Sequence, residues 1–193
     1  MYKLCKTEQS AARQRDLEYG LMTVMNTMRY EDITVSDLCQ KVNIPRKSFY
    51  RYFSSKDGAL HALIDHTLME YETAAEYPQE KTRSLQGDLE GFFQFWVQHK
   101  PLLDALERSS LSGVLIERSI RYSVSEGVFP TRFLPNDSVH MRQHVVMFGV
   151  CGLMTMMLQW HHGGYVESIP DMAKVAVRLL TQPLFPNAQT MMK

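Results

Sequence analysis

Residues 33–60 read ITVSDLCQKVNIPRKSFYRYFSSKDGAL and contain the start and stop signals of two consecutive short helices. The first helix is predicted to begin after Thr34, because Thr34 and Asp37 have the spacing of a capping box. It should end near Asn43, since asparagine tolerates the left-handed backbone of a tight turn. Pro45 then suits the first turn of the second helix. The stretch therefore predicts the order helix, turn, helix that is typical of a helix-turn-helix motif.

The second short helix is predicted to have one apolar face and one basic, hydroxyl-rich face. Phe49 and Phe53 are four residues apart and should pack inward, together with Val35, Leu38 and Val42. The side chains expected on the outer face are Arg46, Lys47, Ser48, Tyr50 and Tyr52. Cations and hydroxyls without acids suit contacts to phosphates and base edges. An amphipathic helix that is basic by coincidence is the structural alternative.

The charge of the chain is unevenly distributed. Residues 1–56 contain ten Lys/Arg and six Asp/Glu, a net charge of +4, whereas residues 57–193 contain 11 and 15, a net charge of −4. A basic quarter on an acidic body favours an anionic partner for that quarter. An ordinary solvated surface gives the same count, so charge alone does not decide the function.

The rest of the 193-residue chain also has a helical pattern, and strand alternation is not evident. We therefore expect an all-α fold with about nine helices. Helical segments are predicted over 10–29, from 54 onward, and over 84–100, 101–110, 111–126, 137–162 and 168–181, with Gly127–Asn136 as the longest loop. The three cysteines (Cys5, Cys39 and Cys151) are odd in number and widely spaced. They favour a reducing compartment over a disulfide framework.

Residues 33–60 closely resemble the DNA-binding segment of TetR-family transcriptional regulators. The matching points are Ile33-Thr34-Val35, Asp37, the block Tyr50-Arg51-Tyr52-Phe53, and Lys56-Asp57 ahead of Leu60. The similarity extends over about residues 8–66. It implies a helix-turn-helix domain over 1–55 and an effector-binding and dimerisation domain over 56–193. It also implies a homodimer that binds a palindromic DNA operator.

The resemblance assigns roles to individual residues. In the family, the positions of Thr34, Tyr50, Tyr52 and Lys56 contact phosphates, and those of Arg46, Lys47 and Ser48 face base edges. Two positions depart from the family pattern: Asn43 stands where glycine is usual, and Cys39 where alanine is usual. Asparagine still fits a left-handed turn.

The predicted C-terminal domain offers a candidate ligand pocket. Most residues of its apolar stripes are expected to belong to the hydrophobic core. Helical bundles also enclose apolar ligand sites, however, so some of these residues are candidates for a pocket lining. The expected lining is Phe92, Phe95, Trp96, Met147 and Met154. The resemblance implies a small effector, which we expect to be apolar or amphipathic. Cys151 is expected to be buried and inert.

The run Val145–Leu158 is apolar around the whole helix, which favours a second partner for one of its faces. In the family the last two long helices form a four-helix dimer interface, so the expected interface residues are Gly149, Gly152, Met156, Trp160, Val175 and Leu179. An entirely intramolecular core is the alternative. The run is 14 residues long, too short to span a bilayer, so we read it as a buried helix. With a polar N-terminal sequence, this predicts a cytoplasmic protein without a membrane partner.

Enzyme signatures are weak, so we expect no catalysis and no cofactor. His140 and His144 are four residues apart, and His161-His162 follows, but the glutamate of a zinc protease motif is missing. Together these observations predict a sequence-specific, DNA-binding transcriptional regulator, a repressor that a small effector releases. The alternative is a regulator of the same fold that acts through a protein partner or a metal ion.

Overall fold

The computed structural model describes residues 2, 3, 5, 7–76, 84–126 and 139–182. In these ranges the chain forms nine α-helices, which confirms the all-α prediction, and one short 3-10 helix at Tyr30–Asp32. The α-helices are α1 (Glu8–Met25), α2 (Val35–Lys41), α3 (Arg46–Tyr52), α4 (Lys56–Glu76), α5 (Leu85–Gln98), α6 (Lys100–Arg108), α7 (Ser112–Glu126), α8 (Val139–His162) and α9 (Ile169–Thr181). The predicted loop Gly127–Asn136 lies outside the described residues.

Several helices begin at a hydroxyl side chain that caps the first turn. The backbone N–H of Asp37 donates to the Thr34 hydroxyl at 3.2 Å, and the Thr34 amide donates to the Asp37 carboxylate at 2.8 Å. The predicted capping box of α2 is therefore confirmed. Ser84 and Ser168 cap α5 and α9 through the same kind of bond. Each cap satisfies an amide that the helix geometry leaves without a partner.

The turn between α2 and α3 has the predicted left-handed residue. Asn43 has φ +52°, and the amide of Ile44 donates to the Cys39 carbonyl at 2.9 Å. Phe49, Phe53 and Leu38 are fully buried in one hydrophobic cluster, as the pattern predicted. The motif is thus held together by its apolar side, which leaves the opposite side of α3 to solvent.

A close approach of α1 and α2 completes the N-terminal part, and the sequence analysis did not foresee it. A Cβ atom at Gly20 would lie 2.3 Å from Cγ1 of Val42. Real Cβ atoms do not come that close to other heavy atoms, so the two helices reach this distance because residue 20 has no side chain.

The remaining helices, α4 to α9, form the body of the protein, and α4 connects this body to the N-terminal helices. α4 packs against α1 on one side and α7 on the other, α9 packs mainly against α5, and α8 against α7. The largest buried side chains of this body include Phe93, Trp96, Leu102, Leu103 and Leu106. Because α4 contacts both α1 and α7, it connects the helix-turn-helix to the body.

The expectation of a buried α8 holds for one face only: Val146, Val150, Met154 and Met157 are buried, whereas Met147 and Phe148 are exposed. Residues His140–His162 form one helix whose most apolar 18-residue window has a mean hydropathy of 1.2 and is 28% buried. By length and composition this helix could cross a membrane; the estimate from the 14-residue run missed this because the helix extends beyond that run at both ends. The described residues of the chain leave one face of α8 uncovered.

Candidate functional site

The outer face of α3 is basic and accessible. The helix contains three cations and no acid. Arg46, Lys47, Tyr50 and Arg51 are exposed, Tyr50 to 46%. Ser48 and Tyr52 are half-buried at the edges of the same face. A guanidinium N–H of Arg46 lies 3.5 Å from the Tyr50 hydroxyl, one helical turn away. This arrangement presents donors for phosphates and base edges on a short rigid helix.

Thr34 lies exposed at the first turn of α2, where its hydroxyl is part of the cap. Besides accepting from the Asp37 amide, the hydroxyl donates to the Asp37 carboxylate at 2.7 Å. The Thr34 side-chain bond, followed by the Thr34 backbone bond, holds the pKa of Asp37 below its ordinary value. The position of Thr34 is thus fixed relative to α2.

The structure places the ammonium of Lys56 inward. It donates to the backbone carbonyls of Tyr30, Glu31 (3.3 Å) and Ile33 (2.7 Å), and it lies 4.2 Å from the centre of the Tyr30 ring. An ammonium has three donors, so the carbonyls of the segment before α2 account for all of them. In this geometry Lys56 orders the segment ahead of α2, a role different from the phosphate contact that the resemblance implies.

A narrow cleft opens in the body of the protein between α4, α5, α7 and α8. It has about 630 Å³ of empty space, part of which is open solvent at its mouth. Phe92, Trp96 and Met154 are among its lining residues, which also include Leu68, Tyr71, Asp88, Leu89, Ser119, Tyr122, Ser123, Val150 and Leu153. The lining is mostly apolar with a few polar groups, as in sites for small molecules.

Two residues proposed for the lining do not lie in it. Phe95 is buried against Tyr71 and His99, and its ring stacks on the imidazole with the centroids 4.0 Å apart. Met147 is 43% exposed on the outside of α8. A helical pattern identifies apolar positions, but which neighbour each one faces depends on how the helices cross.

A second apolar groove of about 450 Å³ runs along α8 and α9. Five of its lining residues belong to α8 and three to α9: Phe148, Gly149, Gly152, Leu153, Met156, Ala176, Leu179 and Leu180. Val175 is 48% exposed on the same helix as Leu179. The groove contains four of the predicted interface residues.

Trp160 is not available for such an interface. It is 5% exposed, its indole N–H donates to the Glu167 carbonyl at 3.1 Å, and its ring packs edge-on against Phe93 and Tyr165. The prediction that it faces a partner is therefore wrong, because the segment after α8 folds back over it.

Comparison with known proteins agrees with this geometry. The family model described as "Bacterial regulatory proteins, tetR family" matches residues 29–63, the segment that contains α2, α3 and the anchoring Lys56. This segment is therefore similar to the DNA-binding part of the TetR family. A curated relative, the HTH-type transcriptional regulator EthR of Mycolicibacterium smegmatis, is 31% identical over 81 residues, 39% of this chain and 37% of that protein. The chain thus matches less than half the length of this relative.

Solved structures share the fold of this chain over most of its length. The dihydroxyacetone kinase operon activator DhaS superposes with a TM-score of 0.57 at 15% identity, over 86% of this chain and 93% of that one. FadR from Bacillus subtilis, solved in complex with stearoyl-CoA, gives a TM-score of 0.56 at 11% identity, over 87% and 97%. At identities this low, the superpositions show a shared fold and nothing more.

One cysteine on α8 differs from expectation. Cys151 is exposed, so the prediction of a buried thiol is wrong; it lies on the uncovered face of α8. His140 and His144 are exposed as well. Across the residues that the structure describes, no group of three or more His, Cys, Asp or Glu could hold a metal ion.

Sequence reasoning also missed two buried carboxylates. Glu18 is fully buried, and its carboxylate binds Nδ1 of His66 at 2.8 Å. Asp65 is 8% exposed and pairs with Arg118. The sequence did contain a sign of them, because each acid lies among the regularly spaced apolar residues of its helix, α1 or α4. An acid on a buried helix face is rare unless it is paired.

Proposed function

We propose that the protein is a homodimeric, sequence-specific DNA-binding regulator of transcription, with residues 1–55 as DNA-binding domain and 56–193 as effector-binding and dimerisation domain. The main support for this proposal is the exposed face of α3, a helix that contains three cations and no acid. The other face of α3 is anchored in the core by Phe49 and Phe53. A protein that reads DNA is expected to act in the cytoplasm of a bacterial cell. The relatives are regulators, and we assign no catalytic step.

The proposed DNA contacts divide into two groups. Arg46, Lys47 and Ser48 would reach base edges in the major groove, where arginine and lysine recognise guanine. Tyr50, Tyr52 and Thr34 would bind phosphates and fix the register. Lys56 is omitted from this set, because its ammonium is bound to three carbonyls.

A second copy of the chain is the proposed occupant of the groove on α8 and α9. Its rim includes Phe148, 68% exposed, and Leu179, 46% exposed. The exposed side of α8 also contains polar residues such as Gln143, Thr155 and Gln159, which lipid could not satisfy. A two-fold interface here would place the two copies of α3 about 34 Å apart, the distance between successive major grooves on one side of the DNA.

The cleft is the proposed effector site, and a small apolar or amphipathic molecule fits its lining. The FadR structure with stearoyl-CoA supports an apolar effector in this fold. An effector that binds the DNA-free conformation better would release the operator; we propose that the operator-bound protein represses transcription and that this release ends the repression. The sign of control needs its own test, because DhaS is described as an operon activator; reporter transcription with and without the protein decides it.

The test of DNA binding is selection from a random duplex pool at about 0.15 M salt, a concentration at which non-specific binding is weak. We expect a palindrome with half-sites about one helical turn apart. The double variant Arg46→Ala/Lys47→Ala is the control and should enrich no sequence. If the unmodified protein also enriches nothing, DNA binding on its own is contradicted and the alternative, action through a protein partner, is favoured.

A further inference from the structure

The first described residues of the chain pair with the end of α3, the second helix of the helix-turn-helix, which we call the recognition helix. Tyr2 forms an isolated antiparallel bridge with Phe53, and the amide of Lys3 donates to the Tyr52 carbonyl at 3.0 Å. The last carbonyls of a helix have no partner within it, so this bond satisfies a carbonyl of α3. We call Tyr2 and Lys3 the N-terminal tether.

The side chain of Tyr2 extends the tether away from α3. Its hydroxyl donates to Oδ2 of Asp65 on α4 at 2.8 Å, and its ring lies edge-on to the His66 ring, with the centroids 5.7 Å apart. Asp65 also accepts from Arg118 of α7, at 2.7 Å from Nε and through a second bond from the other end of the guanidinium. Bidentate arginine–carboxylate pairs fix orientation as well as distance. One carboxylate thus connects the tether to α7.

Arg118 is adjacent to the wall of the cleft. The next residue, Ser119, lines the cleft, as does Tyr122 one turn later, and the Tyr122 hydroxyl donates to Glu72 of α4. Helix α7 therefore contacts the cleft on one side and binds α4 at two points. A displacement of α7 at the cleft must move the Arg118 guanidinium or break its bonds.

We propose that Tyr2 is a positioning residue that joins the recognition helix to α7 through Asp65 and Arg118, so that the state of the cleft is transmitted to α3. The claim that this connection regulates DNA binding rests on the proposed function, whereas the connection itself does not. A buried ion pair resists small distortions, because separating its partners leaves an unpaired charge. The link joins α3 through the backbone of the N-terminal tether and crosses α4 at the single residue Asp65.

Hydrogen exchange of the full-length protein, followed by mass spectrometry without DNA or effector, tests the link. Tyr2→Phe removes one hydroxyl, and Arg118→Gln removes the bidentate pair. Each variant should speed exchange of the α3 amides about tenfold, because a bond to a charged group is lost. The double variant should be no faster than the faster single variant, since both act through Asp65. The matched control is Tyr19→Phe, on an exposed tyrosine of α1.

Three results would overturn the proposal: unchanged α3 exchange in Tyr2→Phe, additive effects in the double variant, or equal acceleration in α9, which would mean global destabilisation. If Arg118→Gln does not fold, Arg118→Lys keeps the charge and loses the bidentate geometry. Failure of the DNA selection would remove the proposed function and leave this measurement interpretable, so the two failures can be told apart.

Discussion

Lys56 illustrates how one side chain can serve the DNA-binding surface without facing it. Its ammonium binds the carbonyls of Tyr30, Glu31 and Ile33. The Tyr30 hydroxyl in turn donates to Asp57 at 2.5 Å, and the Tyr30 amide donates to the Ser109 hydroxyl at 3.1 Å. Burial, and then the bond to Asp57, raise the pKa of Tyr30. The start of α4 is thereby joined to the segment that leads into α2.

Lys56→Met should lower the free energy of unfolding by about 2 kcal/mol, because the carbonyls lose their donors while the apolar stem is kept. Urea denaturation followed by circular dichroism measures this. Lys41→Met, at an exposed position of α2, is the control and should change stability by less than about 0.5 kcal/mol. Equal effects of the two variants would contradict the structural role of Lys56.

This role could not be predicted from the sequence, although the match to the family segment could. The carbonyl partners lie 23 to 26 residues before Lys56 and converge only after the 3-10 helix has formed. The capping box of Thr34 and Asp37 was predictable, because its two bonds connect residues three apart. Local chemistry is visible in the sequence, whereas side chains that bind distant backbone groups are not.

At the scale of the elements, the contact between α1 and α2 depends on Gly20. Gly20→Ala should destabilise the protein by about 1–2 kcal/mol, because the overpacking against Val42 exceeds the gain in helix propensity. Gly113→Ala in α7 is the matched control: in the described part of the chain, no heavy atom beyond the adjoining helix backbone lies within 4 Å of its added Cβ. That variant should be neutral or stabilising by up to about 1 kcal/mol. Thermal unfolding of both variants checks the opposite signs; the same sign in both would refute the close approach.

The exposed face of α3 leads to a prediction about specificity. Arg46→Ala or Lys47→Ala should relax base preference at one position of each half-site, at a cost of about 1–3 kcal/mol on the preferred sequence. Binding to a panel of single-base variants of the selected operator measures this. Uniform weakening of all sequences, with the log–log salt slope reduced by about 0.9, would instead assign the residue to a phosphate.

For the whole molecule, Gly152 tests the proposed assembly. Among the described residues, no heavy atom beyond the adjoining backbone of α8 lies within 4 Å of a Cβ at this position, so Gly152→Leu should leave the fold of one protomer intact while blocking a close partner helix. We expect sedimentation to shift from dimer to monomer. Gly113→Leu, also at an open position, should remain dimeric. A dimer in both variants would place the interface elsewhere.

The order of the helices could be predicted from the sequence, but which neighbour each helix face contacts could not. Apolar periodicity located α8 and α9, yet it assigned Trp160 to a partner and Met147 to the cleft. Trp160 is covered by the turn around Tyr165, which has a positive φ of 60°, and no periodic signal marks such a fold-back. Periodicity shows that a side chain is apolar; the crossing of helices decides what it touches.

The positions of the two tryptophans have an optical consequence. Trp96 is 1% exposed and lines the cleft, while Trp160 is buried at the far end of α8 against Phe93. The chain contains no other tryptophan. A Trp160→Phe variant would therefore have a single indole emitter, located where an effector is proposed to bind. Its emission wavelength and quenching would report occupancy of the cleft directly, without a label and before any operator is known.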